Sequence, residues 1–150
     1  MHRFLPPPAV VALIAALMWG SAALLPAGQF QFAGQARLAL GLALAAAGLM
    51  AVAALTFMHA RTTINPLRPE KASHLITSGI YRYSRNPIYL ADLLLLCALV
   101  LWLGKLWNLA YLPVFVAWIQ HFQILPEERA LRRLFGASYR DYCARVRRWL

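Results

Sequence analysis

The residues with the means to do chemistry are gathered in two polar stretches of an otherwise apolar chain. Residues 73–89 read Ser73-His-Leu-Ile-Thr-Ser-Gly-Ile-Tyr-Arg-Tyr-Ser-Arg-Asn-Pro-Ile-Tyr89, and residues 120–128 read Gln120-His-Phe-Gln-Ile-Leu-Pro-Glu-Glu128. The first supplies His74, Thr77, Ser78, Tyr81, Tyr83, Arg85, Asn86 and Tyr89, with Asn65 upstream of it; the second supplies Gln123 and two of the chain's five acids, Glu127 and Glu128. Such a set suits a zwitterion that carries a flat base. A glutamate faces its positive group, an arginine or backbone amide its carboxylate, and a tyrosine ring stacks on the base. The chain has no glycine-rich phosphate loop, no metal-ligand cluster and no Ser/His/Asp set at a workable spacing.

Simpler readings of the same residues stand beside this one. Acids in the first turn of a helix are favoured by the helix dipole alone, which covers Glu127 and Glu128. Tyr81, Tyr83 and Tyr89 suit an aromatic belt at headgroup depth, and this is the better reading for Tyr83. His74 and His121 suit ordinary interfacial histidines, Arg85 one more cytoplasmic positive charge, and Asp92 a residue that snorkels or pairs with Arg85.

The elements that must position these residues follow from composition. With 61% hydrophobic and 13% charged residues, and a mean hydropathy of +0.57, the chain lies well outside the balance of a soluble domain. The reading is an all-α, polytopic membrane protein: one domain over residues 1–150 whose partner is the lipid bilayer. A net charge of +10 is also a mark of nucleic-acid binding. In so apolar a chain the excess reads instead as basic loops beside anionic lipid, with no nucleic-acid partner. Cys97 and Cys143 make neither a disulfide framework nor a metal-ligand spacing, and single thiols with no bound metal are expected.

Four spans are expected, at residues 9–25, 38–58, 88–103 and 106–125, followed by amphipathic helices over residues 127–149. The first, with His2 and Arg3 before it, also fits a signal peptide, but it is longer than a usual signal core and is read as a retained span. The second carries many small residues, among them Gly41, Ala46, Gly48 and Ala53, and is expected to pack centrally. The third is short, which predicts helix continuing back through the polar stretch or an entry at the interface. Pro126 biases Leu125 away from helix and predicts a new start there, Gly136 predicts a break, and Ser138 a cap. With the N-terminus inside, only Arg37 and Lys105 of the fifteen Lys and Arg fall outside, leaving thirteen within. This asymmetry predicts cytoplasmic termini and brings both polar stretches to one face. Polar groups at that depth are costly unless they find partners, so their meeting point is the expected site.

Four motifs in order, Ser73-His-Leu-Ile-Thr-Ser-Gly-Ile-Tyr81, Arg85-Asn-Pro-Ile-Tyr89, Pro126-Glu-Glu-Arg-Ala-Leu131 and Phe135-Gly-Ala-Ser-Tyr-Arg-Asp-Tyr142, resemble the isoprenylcysteine carboxyl methyltransferases, integral-membrane enzymes related to the phospholipid methyltransferases. The resemblance covers residues 62–149. It implies S-adenosyl-L-methionine as cofactor, a lipophilic acceptor reached from the bilayer, and a donor pocket of His74, Leu75, Ile76, Tyr81, Arg85, Asn86, Pro87 and Tyr89. Glu127 and Glu128 match paired glutamates bordering donor and acceptor and are the expected catalytic residues; Gln123 with Glu127 is expected at the acceptor. Two departures stand out. Asn86 replaces a histidine, keeping a hydrogen bond but no charge, and Gln123 stands where prenylcysteine enzymes place an acceptor-binding arginine.

The expected reaction is methyl transfer to a carboxylate, thiol or amine, governed by positioning and exclusion of water. An amine acceptor needs a base, for which Glu127 or Glu128 is available. An NADPH-dependent membrane reductase of the sterol-reductase type and a non-catalytic membrane scaffold are the alternatives.

Overall fold

The computed structural model describes residues 5–59 and 74–150. Among these residues five α-helices carry the fold: α1 (Pro7–Leu24), α2 (Gln35–His59), α3 (Pro87–Leu103), α4 (Tyr111–Ile119) and α5 (Leu125–Arg145). Among the described residues extended pairing is limited to one bridge, between Gln29 and Lys105. Asn65 and the expected charges Arg3, Arg61, Arg68 and Lys71 lie outside the described residues, as does Ser73.

Prolines set two of the starts. Pro7 and Pro87 sit in the first turns of α1 and α3, where a missing N–H costs nothing, and Pro6 and Asn86 before them are non-helical. This is why α3 does not continue back through the polar stretch. Residues Gly79–Arg82 instead form a single 3₁₀ turn, and α3 begins at the interface. Its 17 residues span about 25 Å at ~1.5 Å each, a little under the bilayer core. α1, α2 and the apolar part of the Leu106–Arg145 rod are long and apolar enough to cross a membrane, and α3 is a shorter apolar helix beside them. Helices of this length and composition are those of an integral-membrane protein.

The central element is α3, not α2. α3 packs against α1, α2 and α4, whereas α2 packs along α3 and the Gly79–Arg82 turn. Only Ala39, Ala46 and Ala53, seven residues apart, are buried on α2, while Leu40, Leu44 and Val52 are exposed. One small-residue stripe admits one close neighbour, and the leucine-bearing faces are left for lipid. The bundle core joins Val10, Ile14 and Met18 of α1 to Leu96 and Val100 of α3, and to Phe115, Ile119 and Ile124 of the last rod.

At the bundle end away from α5, the chain is pinned by polar contacts. Phe30 N–H donates to Gly104 O (2.9 Å), Leu106 N–H to Gly28 O (2.8 Å), and the buried Lys105 Nζ to Leu25 O (3.0 Å) and Pro26 O (3.3 Å). Gly104 ends α3 in the left-handed region at φ 60°, and a Cβ there would lie 2.9 Å from Phe30 O. Gly104→Ala is therefore expected to destabilise the fold by about 1–3 kcal/mol. A thermal unfolding midpoint in detergent equal to wild type would contradict this.

The last rod departs from expectation at Pro126. Leu125 stays helical (φ −63°, ψ −42°), and its N–H bonds Gln120 O, five residues back, within a π turn over Gln120–Ile124. The wider turn accommodates the ring and missing N–H of Pro126 without breaking the rod. The rod breaks instead at Gly136 (φ 49°, ψ −115°), as its glycine predicts. The helix then ends at Arg145 rather than residue 149. Val146 is extended, and the residues after it fold back toward the start of α3.

Candidate active site

The first turns of α3 and α5 meet at one end of the bundle and bring together side chains from the two polar stretches. Tyr89 is buried, and its hydroxyl donates to Glu127 Oε1 at 2.6 Å. Glu127 lies just past Leu125, where the last apolar run of the sequence ends. Burial pushes its carboxyl up to about 7; the Tyr89 hydrogen bond opposes the rise, and the neighbouring Glu128 adds to it. The buried Asp92 follows Tyr89 by three residues, on the same side of α3.

Glu128 faces a different set. Arg148 grips it with a two-pronged bond, Nε to Oε1 and a terminal nitrogen to Oε2, both at 2.9 Å. Arg85 reaches Oε1 at 3.2 Å, and the more exposed Arg132 reaches Oε2 at 3.7 Å. The Glu128 side chain is only 5% exposed, so three cations surround one nearly buried anion. Arg85 also donates to Cys143 Sγ (2.6 Å). Its buried Nε has no hydrogen-bond partner among the described residues.

The corner before α3 is tied to the chain's last residues. Arg85 N–H donates to Arg147 O (3.1 Å), Asn86 Nδ2 donates to Arg148 O (2.9 Å), and Ser84 Oγ accepts from Asn86 N–H (3.1 Å). Tyr81 is held from two sides. The Tyr142 hydroxyl donates to its carbonyl at 2.7 Å, and Phe57 meets its ring edge-on at 5.3 Å. Burial raises the Tyr81 and Tyr142 hydroxyls well above the ordinary tyrosine value, so both stay protonated.

Of the expected site residues, the structure gathers Tyr81, Arg85, Asn86, Pro87, Tyr89, Glu127 and Glu128. His74 is exposed, and Leu75 packs on the Tyr139–Tyr142–Val146 cluster. Ile76, next in sequence, is partly buried, with no polar group to offer. Gln123 is buried, and its Nε2 donates to Leu5 O (2.9 Å), fastening the π turn to the start of α1. Arg85 pairs with Glu128 rather than Asp92. His121 is exposed and meets Phe122 edge-on.

Arg148 is the functional candidate that sequence reasoning missed. In the run Arg147-Arg148-Trp149 nothing distinguishes it from a basic tail on lipid, and only the fold-back after Arg145 reveals its partner. Beside the cluster, an open groove of about 500 Å³ is lined by Val52, Leu55, Thr56, His59 and Ser78. No group of three His, Cys, Asp or Glu suited to a metal ion occurs among the described residues.

An uncharacterized protein of Haemophilus influenzae is 49% identical to this chain over 65 residues, which is 42% of this chain and the whole of that protein. No solved structure matches. Residues 36–138 match the phospholipid methyltransferase family, a stretch from the start of α2 through the break at Gly136 that takes in both polar stretches. The chain belongs to the phospholipid methyltransferase family.

Proposed function

We propose that this membrane methyltransferase uses S-adenosyl-L-methionine to methylate an amine-bearing lipid at the cytoplasmic face of the bilayer. The observation that carries the reading is the Tyr89–Glu127 pair, a partly buried carboxylate held by a tyrosine at the junction of the two polar stretches. The residues present fit the donor. Its positive end suits the carboxylate of Glu127, its carboxylate suits the Nε of Arg85, which has no partner among the described residues, and Tyr81 and Tyr89 offer aromatic faces. When bound, the donor supplies a methyl group already activated by its sulfonium.

What the chain adds is placement and a proton acceptor. A lipid ammonium has no lone pair until it loses a proton, and Glu127 is the carboxylate placed to take it. Tyr89 keeps Glu127 oriented through the 2.6 Å bond. Glu128 is unsuited to the same task, because both its oxygens are bound by arginine. The engagement of Gln123 with Leu5 favours an amine over a prenylcysteine carboxylate, since no cation stands at that position. The charge asymmetry of the sequence supports the cytoplasmic face, because the Arg-rich α5 and the site share one end of the bundle.

Proteoliposomes of phosphatidylethanolamine supplied with methyl-labelled donor are expected to yield label in the lipid extract. Label absent from lipid, despite donor binding, would sink the amine-lipid assignment. The rate is also expected to depend on pH with a definite sign. Glu127 is protonated and inactive as a base below its value of about 7 and ionised above it, so kcat/KM shows an acid limb breaking near that pH. Glu127→Gln should remove that break from the profile, and a variant that keeps it would show that another group titrates.

A further inference from the structure

We propose that Arg148 is a positioning residue for this reaction, and that residues 146–149 form a strap holding the start of α3 and the start of α5 in their working relation. The proposal rests on the methyltransferase reading of the site.

The strap makes four different attachments. Its backbone accepts from Arg85 N–H at Arg147 O and from Asn86 Nδ2 at Arg148 O. The guanidinium of Arg148 spans both oxygens of Glu128, and Trp149 packs against the bundle core. Asn86 immediately precedes α3, so its anchoring fixes where that helix begins and where Tyr89, three residues on, projects. Glu128 immediately follows Glu127, so gripping it fixes the first turn of α5 and the direction of the Glu127 carboxylate. One short segment thus sets both partners of the Tyr89–Glu127 bond.

The chemistry of the grip also matters. A planar fork is needed to bind both carboxylate oxygens, which arginine provides and lysine does not. Glu128 serves as the hub of the strap, and its charge must be compensated because it stands next to Glu127. The ionisable groups facing Glu127 are Tyr89 of α3, Tyr81 of the turn before it and Glu128 of α5, with Asp92 behind Tyr89 and Arg85 behind Glu128. Of the cations on Glu128, Arg148 makes the shortest contacts. Without it Glu128 becomes a barer anion, and protonation of Glu127 is favoured up to higher pH.

The test uses the full chain in lipid nanodiscs with Cys97→Ala, which leaves Cys143, beside Arg85, as its single thiol. Arg148→Met is expected to lower kcat at least tenfold, to move the acid limb to higher pH and to speed alkylation of Cys143 several-fold. Arg148→Lys should recover the limb in part but not the full rate. Adding Glu128→Gln to Arg148→Met should return the limb to its wild-type position, since the uncompensated charge is then gone. A lowered kcat with an unmoved limb would make Arg148 a structural residue only and overturn the positioning role. If the wild-type protein transfers no methyl group, the functional reading fails separately. Cys143 alkylation then decides the strap alone, and equal rates in wild type and Arg148→Met would refute it.

Discussion

Glu128→Ala is expected to destabilise the protein by about 3–5 kcal/mol, the cost of leaving a buried ion partner uncompensated. Arg85 is 12% exposed and loses the one carboxylate it meets among the described residues; Arg148 is 30% exposed and loses both prongs of its fork. Arg132, at 56% exposure, is screened by solvent and contributes little to the loss. The effect should exceed that of Glu128→Gln, which retains one acceptor oxygen for an arginine. Thermal unfolding in detergent measures the difference. A midpoint for Glu128→Ala within a degree or so of wild type would show that the arginines find water or other partners without cost.

Glu127→Gln separates from this in kind. It keeps the shape of the side chain and an oxygen to accept from Tyr89, so the folded yield and unfolding midpoint should stay near wild type. Turnover with an amine acceptor should fall by about 10²–10⁴-fold, the usual contribution of a positioned general base. Tyr89→Phe should give a smaller loss, because it frees the carboxylate without removing it. Adjacent glutamates with opposite profiles, one affecting stability and one turnover, are the expected outcome. Equal loss of turnover in Glu127→Gln and Glu128→Gln, with no change in stability in either, would show that the two share the chemistry.

Much of this was legible in the sequence, for identifiable reasons. The four rods follow from runs of apolar residues, and the break in the last one from Gly136, whose backbone freedom acts locally. That residues 74–89 and 120–128 share one end follows from charge asymmetry and span count. Which helix lies at the centre was not legible, because in lipid an apolar side chain facing a helix looks the same as one facing acyl chains; α2 was expected there and α3 occupies the place. Nor was the π turn before Pro126, since a proline permits either a fresh start or a local widening of the helix.

The site was half legible. Tyr89, Glu127 and Glu128 lie in motifs, but their division of labour depends on Arg148, a residue whose partner is set by tertiary folding alone. Asn86 shows the same limit. Its Nδ2 donates to the strap. An arginine in a basic tail and an asparagine before a proline have ordinary local explanations, and neither reveals a contact some sixty residues away in the chain.

The most direct test of the account is a titration of the purified protein in nanodiscs, in parallel, with S-adenosyl-L-methionine and with NADPH. Saturable binding of S-adenosyl-L-methionine, weakened by Glu127→Gln and by Arg85→Ala, with no binding of NADPH, is the predicted result. Binding of NADPH alone would contradict the account and assign the site to a reductase, and binding of neither would leave it a scaffold.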